Sequence, residues 1–232
     1  MNNQTPISIL PSVMCCKPWE LKDYLKSFEK NGVDAIHFDV MDGHYVPNIV
    51  MGVTDFDAIR SLTTLPMDVH FMCIEPEHFV SYFDLRSGDW VSFHPEVCFQ
   101  PYRLIQQLRE KNIRAGYAIS PAVPISYIEE ALDILDFVLV MAVNPGYSGQ
   151  KMVPDHLDKI RRIQRLTKQA DHRIDLIIDG NTSIEKACKM IAAGATGFVT
   201  GTSSMLSEGP SGFERLYTHY IATLQEELTH RR

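Results

Sequence analysis

Short apolar runs alternate along the chain with longer stretches in which apolar and charged residues are mixed. The runs are Ile7–Leu10, Ala35–Asp39, Met67–Met72, Trp90–His94, Ala115–Ile119, Phe137–Met141, Leu176–Asp179 and Gly197–Thr200. Their brevity and continuous hydrophobicity predict strands covered on both faces. Between them, Trp19–Lys30, Phe56–Leu62, Pro76–Leu85, Tyr102–Lys111, Ser126–Leu135, His156–Lys168, Ile184–Ala193 and Phe213–Glu227 show the mixed apolar and charged faces of amphipathic helices. Eight such alternations in 232 residues, with no Ser/Gly-rich linker, predict an α/β fold of the (β/α)8 TIM-barrel type, one domain spanning residues 1–232.

In such a barrel the carboxyl ends of the strands carry the chemistry, and the ionisable residues of this chain collect there. His37 and Asp39 stand two apart at the end of the second run, so period-two alternation points them to one face. Asp42, Gly43, Pro47 and Asn48 then open a loop. The third run repeats the pairing with Asp68 and His70, and Asp179 closes the seventh. A lone histidine at a strand end is most often a hydrogen-bonded structural residue. Four ionisable groups, His37, Asp39, His70 and Asp179, at the ends of three otherwise apolar strands are costly to bury unless they pair or bind a metal. A nitrogen and oxygen donor set without cysteine suits zinc, iron(II), manganese or cobalt better than calcium. Ser12, His94 and Gly201 also fall at or just beyond strand ends.

Composition narrows the function classes. A formal net charge of −7 argues against a nucleic-acid surface. The one local basic run, Lys159, Arg161, Arg162, Arg165, Lys168 and Arg173, lies on a helical stretch with Ile160, Ile163 and Leu166, and reads as its solvated face. Five cysteines, Cys15, Cys16, Cys73, Cys98 and Cys188, without metal-type spacing imply free thiols in a reducing compartment. Met1–Pro6 lacks a charged segment followed by an apolar one, and no apolar run reaches the ~18 residues of a membrane span. A cytoplasmic protein without membrane partners is expected. Thr229–Arg232 reads as a frayed tail.

Longer motifs carry a resemblance. Leu10-Pro11-Ser12, HFDVMDGHYVPN from His37 to Asn48, MDVHFM from Met67 to Met72, FHPE from Phe93 to Glu96, VMAVNPGYSGQ from Val140 to Gln150, and IDG from Ile178 to Gly180 together resemble the ribulose-phosphate 3-epimerase family, from about Ile9 to Leu206. The resemblance implies a phosphate-binding barrel of the ribulose-phosphate type with one divalent ion (Zn, Fe(II), Mn or Co) on His37, Asp39, His70 and Asp179. It implies that Asp39 and Asp179 are the acid/base pair, one on each face of a phosphorylated ketose, working at C3 through a cis-enediolate in which the metal polarises the C2 carbonyl.

The same resemblance places Met41, Met72 and Met141 beside the reacting carbon, where thioethers exclude water without offering a competing proton. Each alone would pass for core filling. Ser12 and His70 are expected at the substrate. Phosphate is expected in a cup made by Gly146, Tyr147, Ser148 and Gly149, by Gly180, and by Gly201 and Thr202, whose backbone amides can approach an anion closely. The Gly146 loop is also expected to close over substrate. A homo-oligomer is implied as well.

The departures from the commonest family pattern sit on the rim and cup: Asn181 after Gly180, Thr202-Ser203 after Gly201, Ser148 in the loop and Ser120 after the fifth run. They bear on substrate length, so D-ribulose 5-phosphate (with D-xylulose 5-phosphate) stands ahead of the ketohexose D-allulose 6-phosphate, whose branch shares FHPE and Gly201-Thr202-Ser203. A phosphate-barrel decarboxylase or lyase is disfavoured because Asp39-Val40-Met41-Asp42 holds no lysine. A non-catalytic phosphosugar sensor would not need two opposed proton carriers.

Overall fold

The computed structural model describes residues 7–230, so Met1–Pro6 and, in the tail, Arg231 and Arg232 lie outside the described residues. Nine strands form one sheet: β1 (Ser8–Pro11), β2 (Ile36–Asp42), β3 (Ile49–Val50), β4 (Met67–Met72), β5 (Trp90–Phe93), β6 (Arg114–Ile119), β7 (Phe137–Met141), β8 (Asp175–Asp179) and β9 (Gly197–Thr200). Eight are parallel, in the order β1-β9-β8-β7-β6-β5-β4-β2, and a parallel bridge between Ser12 and His37 joins the two ends of that row. The fold is a (β/α)8 barrel. The helices are α1 (Leu21–Asn31), α2 (Val53–Arg60), α3 (Pro76–Val80), α4 (Pro101–Glu110), α5 (Ser126–Glu129), α6 (His156–Thr167), α7 (Ile184–Ala193) and α8 (Pro210–Thr229).

Strand alternation sorts side chains into two cores. Phe38, Val69, Phe71, Val91, Phe93, Val138 and Ile178 point outward into the layer shared with the helices, where complete burial of each contributes roughly 1.5–3 kcal/mol. The inward set divides by strand. Leu10, Ala118, Phe137, Leu139, Met141, Ile177 and Val199 fill the barrel with hydrocarbon, whereas β2, β4 and β5 turn His37, Asp39, Asp68, His70 and Ser92 into it, all buried. Gly116 of β6 makes room for the apolar half, since a Cβ there would lie 2.5 Å from the carbonyl oxygen of Phe137. A polar half backed by a packed apolar half places the ionisable cluster at one well-defined spot.

The pattern misses β3, a two-residue antiparallel pairing of Ile49 and Val50 with Asp42 and Met41 that folds the loop after β2 back on the barrel. It also overextends two helices. The segment expected to be helical from Ser126 to Leu135 is α-helical only to Glu129, and the one expected from Pro76 to Leu85 stops at Val80. Beyond both ends the amides bond three residues back, as in Ala131 to Ile128, Ile134 to Ala131 and Tyr82 to Phe79. Such tight turns bury Ala131, Ile134 and Leu135 without a continuous helix.

Lys159 corrects a further expectation. It does not belong to the solvated face of α6: it is buried, and its ammonium donates to the carbonyls of Ser120 (2.6 Å), Pro121 (2.9 Å) and Val123 (2.7 Å). Burial, helped by Arg162, lowers it to about 8. A carbonyl cluster at the end of β6 attracts a cation, so helical phase alone misplaces this residue. None of the helices among the described residues is long and apolar enough to cross a membrane.

His156, one turn away, is buried with neither ring nitrogen hydrogen-bonded. Burial, with Lys159 adding to it, lowers it from 6.5 to about 4. The unfolded chain therefore takes up this proton first, so stability is complete above pH 6.5 and falls as pH drops toward 4. The loss by pH 4.5 is roughly 2–3 kcal/mol. Urea unfolding of His156→Leu at pH 7.5 and 4.5 should show a correspondingly smaller drop than the wild type; equal drops would place the acid sensitivity elsewhere.

Candidate metal and acid/base site

Adjacent strands in register bring the inward residues together. His37 of β2 lies beside Asp68 of β4, and Asp39 beside His70. The His37 Nδ1 is 2.6 Å from Asp68 Oδ2, so Nδ1 carries the proton and Nε2 turns toward the barrel centre, 3.1 Å from Asp39 Oδ1 and 3.9 Å from Asp179 Oδ2. His70 Nδ1 faces the same point, 3.4 Å from Asp39 Oδ1 and 3.8 Å from Asp179 Oδ2. One donor atom from each of His37, Asp39, His70 and Asp179 falls within 4.8 Å of all the others. Ser12 Oγ donates to the second oxygen of Asp39 at 2.9 Å.

These residues fit a divalent ion. His70 Nδ1 is fully buried and makes no hydrogen bond, an arrangement costly for a polar atom unless a cation shares its lone pair. His37 shows the carboxylate-imidazole pairing that holds metal-ligating histidines in one tautomer, with Asp68 as the carboxylate. Two nitrogens and two carboxylate oxygens make a donor set for a borderline ion of the zinc or iron(II) type.

The charges are unequally distributed. Burial disfavours a charged His37, but Asp39 and Asp68 outweigh it and raise the imidazole well above its usual range. Burial likewise pushes Asp39 up, yet His37 and His70 hold it far below the ordinary carboxylate range. Asp179 moves the other way: burial raises it, and the charge of Asp39 adds to this against the pull of His37 and His70. Without a bound ion, two neighbouring carboxyl groups are thus driven in opposite directions.

At the cluster lies a recess open to solvent and lined by Ser12, Asp39, Met41, Met72, Met141 and Asp179. Gly146, Tyr147, Ser148, Gly149, Gly180, Gly201 and Thr202 line it too, with Cys15, Asn181 and Ser203. Gly180 adopts φ +104°, and a Cβ there would lie 2.6 Å from a Val143 methyl. The Gly146 loop is tied down: Asn48 Nδ2 donates to the Gly146 carbonyl at 2.9 Å, Tyr147 Oη donates to the carbonyl of Pro47, and Asn181 Nδ2 donates to that of Gln150 at 2.7 Å. The Gly201 amide is engaged by Ser204 Oγ at 3.1 Å.

The residues expected to bind metal, substrate or phosphate thus border this recess or the donor cluster beneath it, whereas Ser120, expected on the rim, is buried behind His94. Ser12, expected at the substrate, lines the recess and also donates to Asp39. Asp68 was missed as a partner of His37, although its spacing from His70 signals it. The surroundings of His94 were missed too, and most of these contacts come from residues distant in sequence: His94 Nε2 meets His70 Nε2 at 3.0 Å, and Tyr45, Glu96 and Ser120 lie behind it.

The sequence profile described as the Ribulose-phosphate 3 epimerase family matches residues 8–205, which spans all nine strands. The chain belongs to the ribulose-phosphate 3-epimerase family. It is accordingly an enzyme of the isomerase class, a carbohydrate epimerase. The ribulose-phosphate 3-epimerase of Bacillus subtilis (strain 168) is 39% identical over 198 residues, covering 85% of this chain and 91% of that protein. The Escherichia coli (strain K12) ribulose-phosphate 3-epimerase is 35% identical over 196 residues, 84% of this chain and 87% of that one. The chloroplastic ribulose-5-phosphate-3-epimerase of Arabidopsis thaliana is 36% identical over 203 residues, 87% and 72% respectively.

More distant barrels share the fold alone. A mutant tryptophan synthase α-subunit from Pyrococcus furiosus superposes with a TM-score of 0.61 at 12% identity, over 95% of this chain and 97% of its own. A thiamine phosphate pyrophosphorylase from the same organism does so at 0.59 and 14%, over 95% and 98%.

Proposed function

We propose that the chain is a metal-dependent ketose-phosphate 3-epimerase that interconverts D-ribulose 5-phosphate and D-xylulose 5-phosphate. The observation that carries this reading is that Asp39, from β2, and Asp179, from β8, enter one recess across two intervening strands and set their carboxylate oxygens around the same pair of imidazoles. Inversion at a carbon beside a carbonyl needs a base on one face and an acid on the other.

In this account Asp39 and Asp179 stand on opposite sides of C3. Whichever is unprotonated removes the C3 proton, the substrate flattens to an enediolate, and the other returns a proton from its own side. Ser12 keeps Asp39 oriented, and Met41, Met72 and Met141 surround the flattened carbon with aprotic side chains that keep water away. His37, Asp39, His70 and Asp179 hold a single divalent ion, which when bound supplies positive charge against the negative charge developing on the ketose oxygens. The glycine-rich turns after β7, β8 and β9 seat the phosphate. The enzyme works as a homo-oligomer in the cytoplasm, a compartment that suits five cysteines without metal-type spacing.

A coupled assay of metal-reconstituted protein on ribulose 5-phosphate and allulose 6-phosphate side by side tests the substrate assignment. Single-group differences in a pocket are worth about 10–200-fold in kcat/KM, and a ratio of that size in favour of ribulose 5-phosphate is expected. The opposite preference would assign the enzyme to the ketohexose phosphate.

A further inference from the structure

Behind the donor cluster an unbroken row of hydrogen bonds leads from His70 to a carboxylate. His70 Nε2 meets His94 Nε2 at 3.0 Å, His94 Nδ1 meets Ser120 Oγ at 3.2 Å, Ser120 Oγ meets Tyr45 Oη at 2.9 Å, and Tyr45 Oη donates to Glu96 Oε1 at 2.8 Å. His94 is fully buried and Ser120 nearly so. Tyr45, His94 and Ser120 are held by further contacts as well. The Tyr45 ring packs on the His94 ring at 4.6 Å, and the Ser120 carbonyl is gripped by the Lys159 ammonium.

Such a row can run in only one direction. The Glu96 carboxylate accepts, so the Tyr45 hydroxyl spends its proton on Glu96 and must itself accept from Ser120. Ser120, donating to Tyr45, accepts from His94 Nδ1–H. That leaves His94 Nε2 as a lone pair, which accepts from His70 Nε2–H, and His70 Nδ1 is then the unprotonated nitrogen. Nothing at the donor cluster was used to reach this result. Yet Nδ1 is the atom of His70 that faces Asp39 and Asp179 and lacks any hydrogen bond. The two ends of the row demand the same arrangement.

We infer that Glu96, Tyr45, Ser120 and His94 form a directional hydrogen-bond chain that fixes the tautomer of His70 and presents its Nδ1 lone pair to the metal. The inference rests on the metal reading above and adds positioning residues to it. On the other side Asp68 does the same for His37 through one bond; His70 receives its orientation from a carboxylate four hydrogen bonds away. The intervening residues keep that negative charge off the donor cluster, which already holds Asp39 and Asp179 and is backed by Asp68.

The test uses the full chain stripped of metal and labelled with ¹⁵N at histidine. Long-range ¹H–¹⁵N spectra should show His94 protonated at Nδ1 and His70 at Nε2. Tyr45→Phe keeps the ring on His94 but cuts the row, and Ser120→Ala cuts it one step nearer. Both should leave His94 mixed between tautomers and weaken Mn²⁺ or Zn²⁺ binding, measured by chelator competition, about 10–100-fold. The melting temperature of each metal-free variant separates this loss from a folding defect. His94 protonated at Nε2 in the wild type would overturn the inference, as would wild-type metal affinity in both variants. A wild type with the assigned tautomers that bound no divalent ion would uphold the chain and instead remove the metal from the proposed function.

Discussion

Asp39→Asn and Asp179→Asn are each expected to lower epimerisation at least about 10²–10⁴-fold, the usual contribution of a positioned acid or base. The two should differ in what survives. Asp39→Asn removes the carboxylate charge that lies nearest to both imidazoles, so its metal content should fall more than that of Asp179→Asn, whose oxygen lies 3.8–3.9 Å from both. With metal restored at high concentration, each variant should still exchange the C3 hydrogen of one epimer with deuterated water, because the remaining carboxylate serves one face. Exchange of both epimers by a single variant would mean that one group reaches both faces. Metal analysis of every sample is the necessary control.

Removing the ion should show in stability as well as in rate. The buried His70 Nδ1 has no partner of its own, so a bound cation is free energy that only the folded state gains. At a concentration about 1,000 times Kd this amounts to ~4 kcal/mol, and for a chain of this size ~2–4 °C of melting temperature per kcal/mol. Adding Zn²⁺ or Mn²⁺ to stripped wild type should thus raise Tm by about 10 °C. His70→Ala should show little of that rise. Equal shifts in both proteins, or none in either, would contradict the four-residue ion site.

Much of this was legible in the sequence because strand geometry is simple. Two residues apart on a strand share a face, so His37 with Asp39 and Asp68 with His70 could be placed on inward positions without coordinates. The barrel followed from eight alternations, and the glycine clusters after the last three barrel strands mapped onto the recess. Harder to see was anything formed between segments by side chains leaving loops. Tyr45 reaches Glu96 and Ser120 over 51 and 75 positions of sequence, and no local period encodes that. Lys159 was misplaced for a related reason: helical phase describes one helix surface, while the β6 carbonyls it binds belong to another element. The pairing of β3 on β2 spans only two residues, too short for any hydrophobic pattern.

The two-carboxylate account of Asp39 and Asp179 is tested most directly by running the wild-type reaction in deuterated water and reading C3 of both epimers at low conversion. A base on one face and an acid on the other predict that xylulose 5-phosphate formed from ribulose 5-phosphate carries solvent deuterium at C3 from the first turnovers, while the unreacted ribulose 5-phosphate stays protiated. Product that retained the original hydrogen, or substrate that became labelled as fast as product, would contradict it.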